Sequence, residues 1–406
     1  MSISTPVRSS GAGTGRQSGG ARMLMLAIAT VGFAINFWAW ALLGPLGPRF
    51  KESLGLTSFQ QALVVAVPVI VGSVGRIPVG ALADRYGGRV MFPVISLVTV
   101  APVMFLSQFQ SYAALLIGGF FLGIGGTAFA VGVPFVNAWF PPERRGLAIG
   151  IFGIGTGGTA ISAFTTVRLV DAYTLSTPFY LVAVLLVAFA GVALLLARDA
   201  PGRALPTEPF LRRTIDTFKM PVTLQMSVLY AVGFGGFVAF SVYLPTYLRT
   251  AYELTQTDAA TKTAGFVVLA VLCRPLGGYL SDRFHPVPVL CWALGIVGIF
   301  AVVQAFQPSL APLGTVAFLS MAAGLGATSG AVFALVALVA PKNKVGSVTG
   351  IVGAAGGLGG FVPPLVMGTV YGSEQSYAIG LMLLSDVAIA ELVYSVPPQA
   401  TAGFAR

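Results

Sequence analysis

The sequence predicts an all-α membrane protein with twelve transmembrane helices in two pseudo-symmetric six-helix halves. Three observations lead there. Of 406 residues, 56% are hydrophobic and only 9% are charged, with a mean hydropathy of +0.88. Twelve apolar stretches each come near or exceed the roughly 20 residues that a helix needs to cross a bilayer. The second half of the chain repeats motifs of the first at a separation near 200 residues.

The composition excludes other classes. A soluble domain carries about 25% charged residues, so 9% is too little to cover a water-facing surface. Disordered chains are poor in apolar residues. In a soluble protein a net charge of +10 would suggest a nucleic-acid partner. In a membrane protein it is first read as positive loops on the cytoplasmic side, and no nucleic acid is expected. Cys273 and Cys291 lie in apolar stretches and form no disulfide framework or metal-ligand spacing. His285 is the single histidine, which excludes a His-based metal cluster and disfavours a catalytic triad. No enzyme activity, catalytic residue, metal or cofactor is therefore expected.

In chain order, residues 1–22 are rich in Gly and Ser and read as a disordered cytoplasmic tail. Spans follow at 23–45, 58–82, 90–108, 112–139, 146–168 and 176–197. They make an N-terminal half of residues 23–198. The first stretch is long and lacks a small-residue cleavage site, so it reads as a span and not a signal peptide. Residues 199–220 form a cytoplasmic linker containing Pro201, Pro206 and Pro209. Spans at 221–248, 260–281, 287–306, 310–339, 345–371 and 375–396 make a C-terminal half of residues 221–396. Residues 397–406 are a second cytoplasmic tail. Lipid does not tolerate unpaired backbone, so the spans are helices.

The cations orient the chain. With both termini inside, Arg8, Arg16, Arg22, Arg85, Arg89, Arg144, Arg145, Arg198, Arg203, Arg212, Arg213, Lys219, Arg283, Lys342, Lys344 and Arg406 are cytoplasmic, sixteen of the 23 Lys and Arg. Arg49, Lys51, Arg168, Arg249 and Lys262 fall outside. This is a positive-inside distribution. Arg76 and Arg274 remain, both inside apolar spans.

The repeat carries those two arginines. Arg76, Gly80, Leu82, Asp84 and Arg85 recur as Arg274, Gly278, Leu280, Asp282 and Arg283, 198 residues later. Gly146, Gly150, Ile151, Gly153 and Gly157 recur as Gly346, Gly350, Ile351, Gly353 and Gly357, 200 residues later. Two like-oriented halves imply a pseudo-two-fold axis along the membrane normal, and such carriers bind substrate between the halves near mid-membrane.

An arginine at that depth costs at least about 2.5 kcal/mol on insertion scales, so it faces a cavity or a partner. The only acids inside a span are Asp386 and Glu391 of span twelve, which read as peripheral. Symmetry points both guanidiniums at one central cavity. Guanidinium is planar, permanently charged and forks two donors toward an oxyanion, so the pair reads as an anion site.

Several motifs make a resemblance specific. The stretch GRIPVGALADRYGGR (Gly75 to Arg89) resembles the loop motif of the major facilitator superfamily. FWAWALLGPLGP (from Phe37), GIGGTAFAVGVPFVNAWFPPERRG (from Gly123) and GIFGIGTGGT (from Gly150) resemble its nitrate/nitrite porters, the NarK-type carriers. So do YAVGFGGFVAFS (from Tyr230), CRPLGGYLSDR (from Cys273) and GIVGAAGGLGGFVPP (from Gly350). The resemblance covers roughly residues 33–371 and implies the major facilitator fold. It also implies transport of nitrate and nitrite across the cytoplasmic membrane, by exchange through alternating access, in nitrate assimilation and with a monomer as the working unit. Proton-coupled nitrate symport, small-carboxylate antiport and a transporter-like nitrate sensor stay open as alternatives.

The resemblance also assigns residues. It implies that Phe37, Phe129 and Phe234 line the anion site and that Tyr230 hydrogen-bonds the substrate. Asn36 is a further polar candidate, either for substrate or for an interhelical hydrogen bond. Thr156 stands where the family commonly has Asn. Gly153, Gly155, Gly157 and Gly353, Gly356, Gly357, Gly359, Gly360 are expected to form bending, sliding helix surfaces. Asp84 with Arg85, and Asp282 with Arg283, are expected to hold the cytoplasmic gate.

Overall fold

A computed structural model describes residues 19–141, 145–201, 210–340, 345–374 and 376–394. Both tails, apart from Gly19 to Arg22, lie outside these residues, as do Arg144, Arg203, Lys342 and Lys344. Among the described residues all regular structure is helical.

Span one is α1 (Gly19–Trp40) continued by α2 (Leu43–Leu54). It is longer than 23–45 at both ends. α2 buries Leu43, Leu46 and Phe50 while Glu52 and Ser53 are exposed. That polar face is what hides the extension from hydropathy.

Span two is broken. α3 (Ser58–Val74) opens with a Thr57–Gln60 capping box and meets α4 (Arg76–Tyr86) at a 40° bend on Gly75. Pro78 lies in the first turn of α4 and has no N–H to give to the Val74 carbonyl, so the helix restarts here. Gly87 then turns at φ +84°, a conformation that favours glycine, into α5 (Gly88–Gln108).

Span four is α6 (Tyr112–Leu122), a tight turn at Gly123–Thr127 and α7 (Ala128–Trp139). Span five is α8 (Arg145–Gly153), a tight turn at Ile154–Gly157 and α9 (Gly158–Ala172). α10 (Thr177–Leu196) completes the first half. The linker holds a short helix, α11 (Phe210–Phe218), only nine residues long and below the length of a span.

The second half runs through α12 (Pro221–Tyr252), α13 (Gln256–Phe284), α14 (Pro286–Ala305) and α15 (Thr315–Val339). α16 (Val345–Gly359) and α17 (Val362–Glu374) form span eleven, and α18 (Ala378–Tyr394) stands at the place of span twelve. By length and composition ten helical stretches can cross a membrane, eleven with the bent α3–α4 pair. Residues 378–390 of α18 form a shorter apolar helix, which brings the pattern to the expected twelve. Large apolar side chains such as Leu195, Trp292 and Ile299 point outward, as a lipid-facing surface requires.

The halves meet chiefly where α13 packs on α9, α16 and α17 on α3, and α12 on α2. At the end carrying the α2–α3 turn they are tied by polar bonds. Gln61 Nε2 donates to Thr246 Oγ1 at 2.8 Å, and Gln256 Nε2 to the Pro45 carbonyl at 2.8 Å. Arg168 Nη2 donates to Thr261 Oγ1 at 2.8 Å, and Thr257 Oγ1 to Asp171 Oδ2 at 3.1 Å. Arg249 pairs with Glu52. These bonds tie the halves together at that end.

Candidate anion-binding site

The two intramembrane arginines converge from different halves onto one aromatic ring. The Arg76 guanidinium lies 5.5 Å from the Phe234 ring centroid and that of Arg274 lies 5.3 Å from it. Arg76 reaches the site from the start of α4, just past the Gly75 break, and is 4% exposed. Arg274 comes from the middle of α13, which runs unbroken through Pro275. The repeated motif thus delivers its arginine from a broken helix in one half and a continuous one in the other.

Their partners differ as well. Arg76 Nε donates to the Gly126 carbonyl at 3.4 Å, and Arg76 Nη1 donates to the Gly353 carbonyl of the opposite half. Arg274 Nη2 donates to the Tyr230 hydroxyl at 2.6 Å, within its own half. Tyr230 accepts that bond, so its own O–H proton is free to be given to an oxyanion. Each guanidinium has five N–H donors, and these bonds engage only a few of them.

Aromatic rings enclose the pair. Phe129 faces Arg76 at 5.2 Å and Phe333 faces Arg274 at 6.0 Å. Tyr230 stacks on Phe234 with centroids 5.0 Å apart, Phe333 meets Tyr230 at 4.7 Å, and Phe129 meets Phe333 at 6.4 Å. Ring faces are electron-rich, and each cation over one gains about 0.5–2 kcal/mol. The rings thus offset part of the repulsion between the two like charges.

Of the residues singled out in the sequence, Arg76, Arg274, Tyr230, Phe129 and Phe234 come together here. Phe37 is a second layer: its ring contacts Phe33 at 4.4 Å and Trp40 at 4.9 Å, and Phe33 in turn meets Phe129 at 5.8 Å. Asn36 Nδ2 donates to the Gly32 carbonyl at 2.8 Å and to Ser96 Oγ on α5 at 2.9 Å, which makes it an interhelical tie. Thr156 Oγ1 spends its proton on the Gly153 carbonyl at 2.8 Å, so in this conformation it can only accept. Asp386 is exposed at the periphery.

The glycines divide by what surrounds them. A Cβ on Gly356 would fall 2.1 Å from the Tyr230 ring, and one on Gly359 would fall 2.3 Å from the Ala231 carbonyl of α12. A Cβ on Gly157 would meet nothing within 4 Å. Around Gly353 and Gly153 the neighbours are Phe129 and Arg274 themselves. Gly155 packs on Phe33, Gly357 on Ser73 across the halves, and Gly360 on Val238.

Asp84 with Arg85 and Asp282 with Arg283 sit at the linker end, away from the arginine pair. Arg85 lies over the Tyr86 ring and Arg283 over the Phe284 ring, at 5.5 and 5.4 Å. Phe333 and the carbonyls of Gly126 and Gly353 are site groups that the sequence did not mark. Phe333 is one of 29 phenylalanines and stands in no quoted motif. A carbonyl has no sequence signature at all.

A model of the Major Facilitator Superfamily matches residues 29–364. The "Probable nitrate/nitrite transporter NarK2" of Mycobacterium tuberculosis is 46% identical over 374 residues, covering 91% of this chain and 95% of that protein. The chain belongs to the NarK-type nitrate/nitrite porter family of the major facilitator superfamily. The "Nitrite extrusion protein" of Bacillus subtilis is 34% identical and covers 91% of this chain and 93% of its own. A solved bacterial homologue of the human lysosomal transporter Spinster, in an inward-facing and occupied conformation, shares the fold at a TM-score of 0.72. It is 18% identical and covers 93% of this chain and 96% of its own. The superfamily is one of multi-pass membrane transporters, and the twelve-helix fold agrees with membership.

Proposed function

We propose that the protein carries nitrate and nitrite across the cytoplasmic membrane, exchanging one for the other by alternating access. The observation that carries this reading is the pair of guanidiniums, one from each half, over the shared Phe234 ring beside the Tyr230 hydroxyl. Nitrate and nitrite are flat oxyanions. Planar forks of N–H donors and a hydroxyl bind their edges, and ring faces exclude water from their flat sides. The named activities of the relatives support the same choice of anion.

The two arginines also supply the coupling. Closing the halves brings two positive charges together at low dielectric, where repulsion is strong. A bound anion offsets that repulsion, so the loaded carrier switches more readily than the bare one. The polar ties at the α2–α3 end form the closed outer gate. Asp84, Arg85, Asp282 and Arg283 form the cytoplasmic gate of the opposite conformation. Both termini are cytoplasmic, residues 23–198 and 221–396 rock as two bodies about the site, and one chain suffices.

Proteoliposomes loaded with nitrite, nitrate or neither test the exchange. Uptake of labelled nitrate is expected to be fast with either anion inside and slow without. Equal rates in all three would overturn exchange and favour proton symport, which a pH gradient would then drive.

A further inference from the structure

We propose that a lipid-facing groove between α13, α14 and α15 binds an anionic phospholipid, with one acyl chain in the groove and the phosphate at Arg283. The proposal needs only that these helices lie in a bilayer and is independent of the transported anion.

The groove has a volume of about 550 Å³. On α13 it runs from Cys273 to Phe284, and Trp292 and Ile296 of α14 face it. Ala323 and Gly324 of α15 make its floor. Beneath it α14 and α15 pack closely: a Cβ on Gly324 would meet the Ala293 carbonyl at 2.8 Å. At 1.5 Å per residue, Cys273 to Phe284 spans about 16 Å. That matches the hydrocarbon half-thickness of a bilayer, about 15 Å. All three helices are long and apolar enough to span, so the groove opens toward hydrocarbon and its occupant is an acyl chain.

The charge at one end selects the headgroup. Leu276, Leu280 and Arg283 stand at i, i+4 and i+7 on α13, so the guanidinium continues the groove's own face. Asp282, one residue earlier, points about 100° away from it. Arg283 is exposed, and its guanidinium lies 5.4 Å from the ring of Phe284, the last groove residue. A phosphate there meets the cation directly, while the arginine's stem and the ring cover the upper chain.

Trp292 gives the readout. It is 77% exposed, whereas Trp38, Trp40 and Trp139 are 9%, 3% and 6% exposed. The protein is reconstituted in vesicles of phosphatidylcholine, with either brominated phosphatidylglycerol or brominated phosphatidylcholine titrated in. Trp292→Phe gives the baseline. Quenching of Trp292 is expected at about five-fold lower mole fraction of the anionic lipid, the effect of one cation near an anionic headgroup. Arg283→Lys should keep the preference and Arg283→Gln should remove it. Ala323→Leu, which fills the floor, should reduce quenching by both lipids. Equal quenching by the two headgroups in the unsubstituted protein would overturn the proposal, as would a preference that survives Arg283→Gln.

Discussion

Arg76 of the first half donates a hydrogen bond to the Gly353 carbonyl of the second, 277 residues away. Arg76 and the glycine-rich helix α16 are thus mechanically linked. An oxyanion that claims Arg76 competes with that carbonyl, so loading the site loosens a tie between the halves.

Arg76→Lys and Arg274→Lys keep the charge but lose the fork. A charge-assisted hydrogen bond is worth about 1.5–3 kcal/mol, so nitrate affinity should fall about 10- to 100-fold. Nitrate/nitrite counterflow in proteoliposomes checks this. Normal counterflow by either variant would refute the site.

Tyr230→Phe keeps the stack on Phe234, 5.0 Å away, and removes only the hydroxyl. Arg274 loses its partner and the anion loses a donor. Folding should persist, with apparent nitrate affinity about ten-fold weaker. An unchanged half-saturation concentration for nitrate would place the anion elsewhere.

Phe234→Leu removes the ring that both guanidiniums face while leaving an apolar side chain. Each cation should lose roughly 1 kcal/mol of ring stabilisation. Nitrate binding, followed by isothermal titration in detergent, should weaken several-fold. Phe333→Leu should act more mildly, because it faces only Arg274.

Gly157 and Gly359 separate bending from packing. Gly359→Ala places a Cβ against the Ala231 carbonyl and should lower the melting temperature. Gly157→Ala meets open space and should leave the melting temperature equal or higher, since Ala favours helix by up to about 1 kcal/mol. If Gly157 bends during transport, its turnover falls nonetheless. Full turnover by Gly157→Ala would remove it from the moving set.

Glu52→Gln breaks the pair with Arg249 that ties the halves at the α2–α3 end. The pair is partly exposed, so it is worth at most about 1 kcal/mol, and under the proposed alternating access that end should open a few-fold more often. Alkylation of a cysteine introduced as Thr246→Cys, with Cys273 and Cys291 replaced by Ser, measures this. A rate unchanged from the Glu52 protein would show that the pair does not hold the gate.

The sequence by itself determined the membrane class, the twelve spans, the repeat and the two arginines within the spans. Hydropathy, glycine content and charge placement act within single helices, and they remain readable without contacts. Its motif placement also reached Tyr230, Phe129 and Phe234, which do surround the arginines. The tertiary structure alone decided which neighbours those residues acquire. Phe333, the Gly126 and Gly353 carbonyls and the Asn36–Ser96 tie have no local signal. They exist because helices far apart in the chain pack together, and a side chain's partner is set by the facing helix. For the same reason two copies of one motif became unlike. Arg76 is tied across the halves and Arg274 within its own, a difference that the repeat itself does not encode.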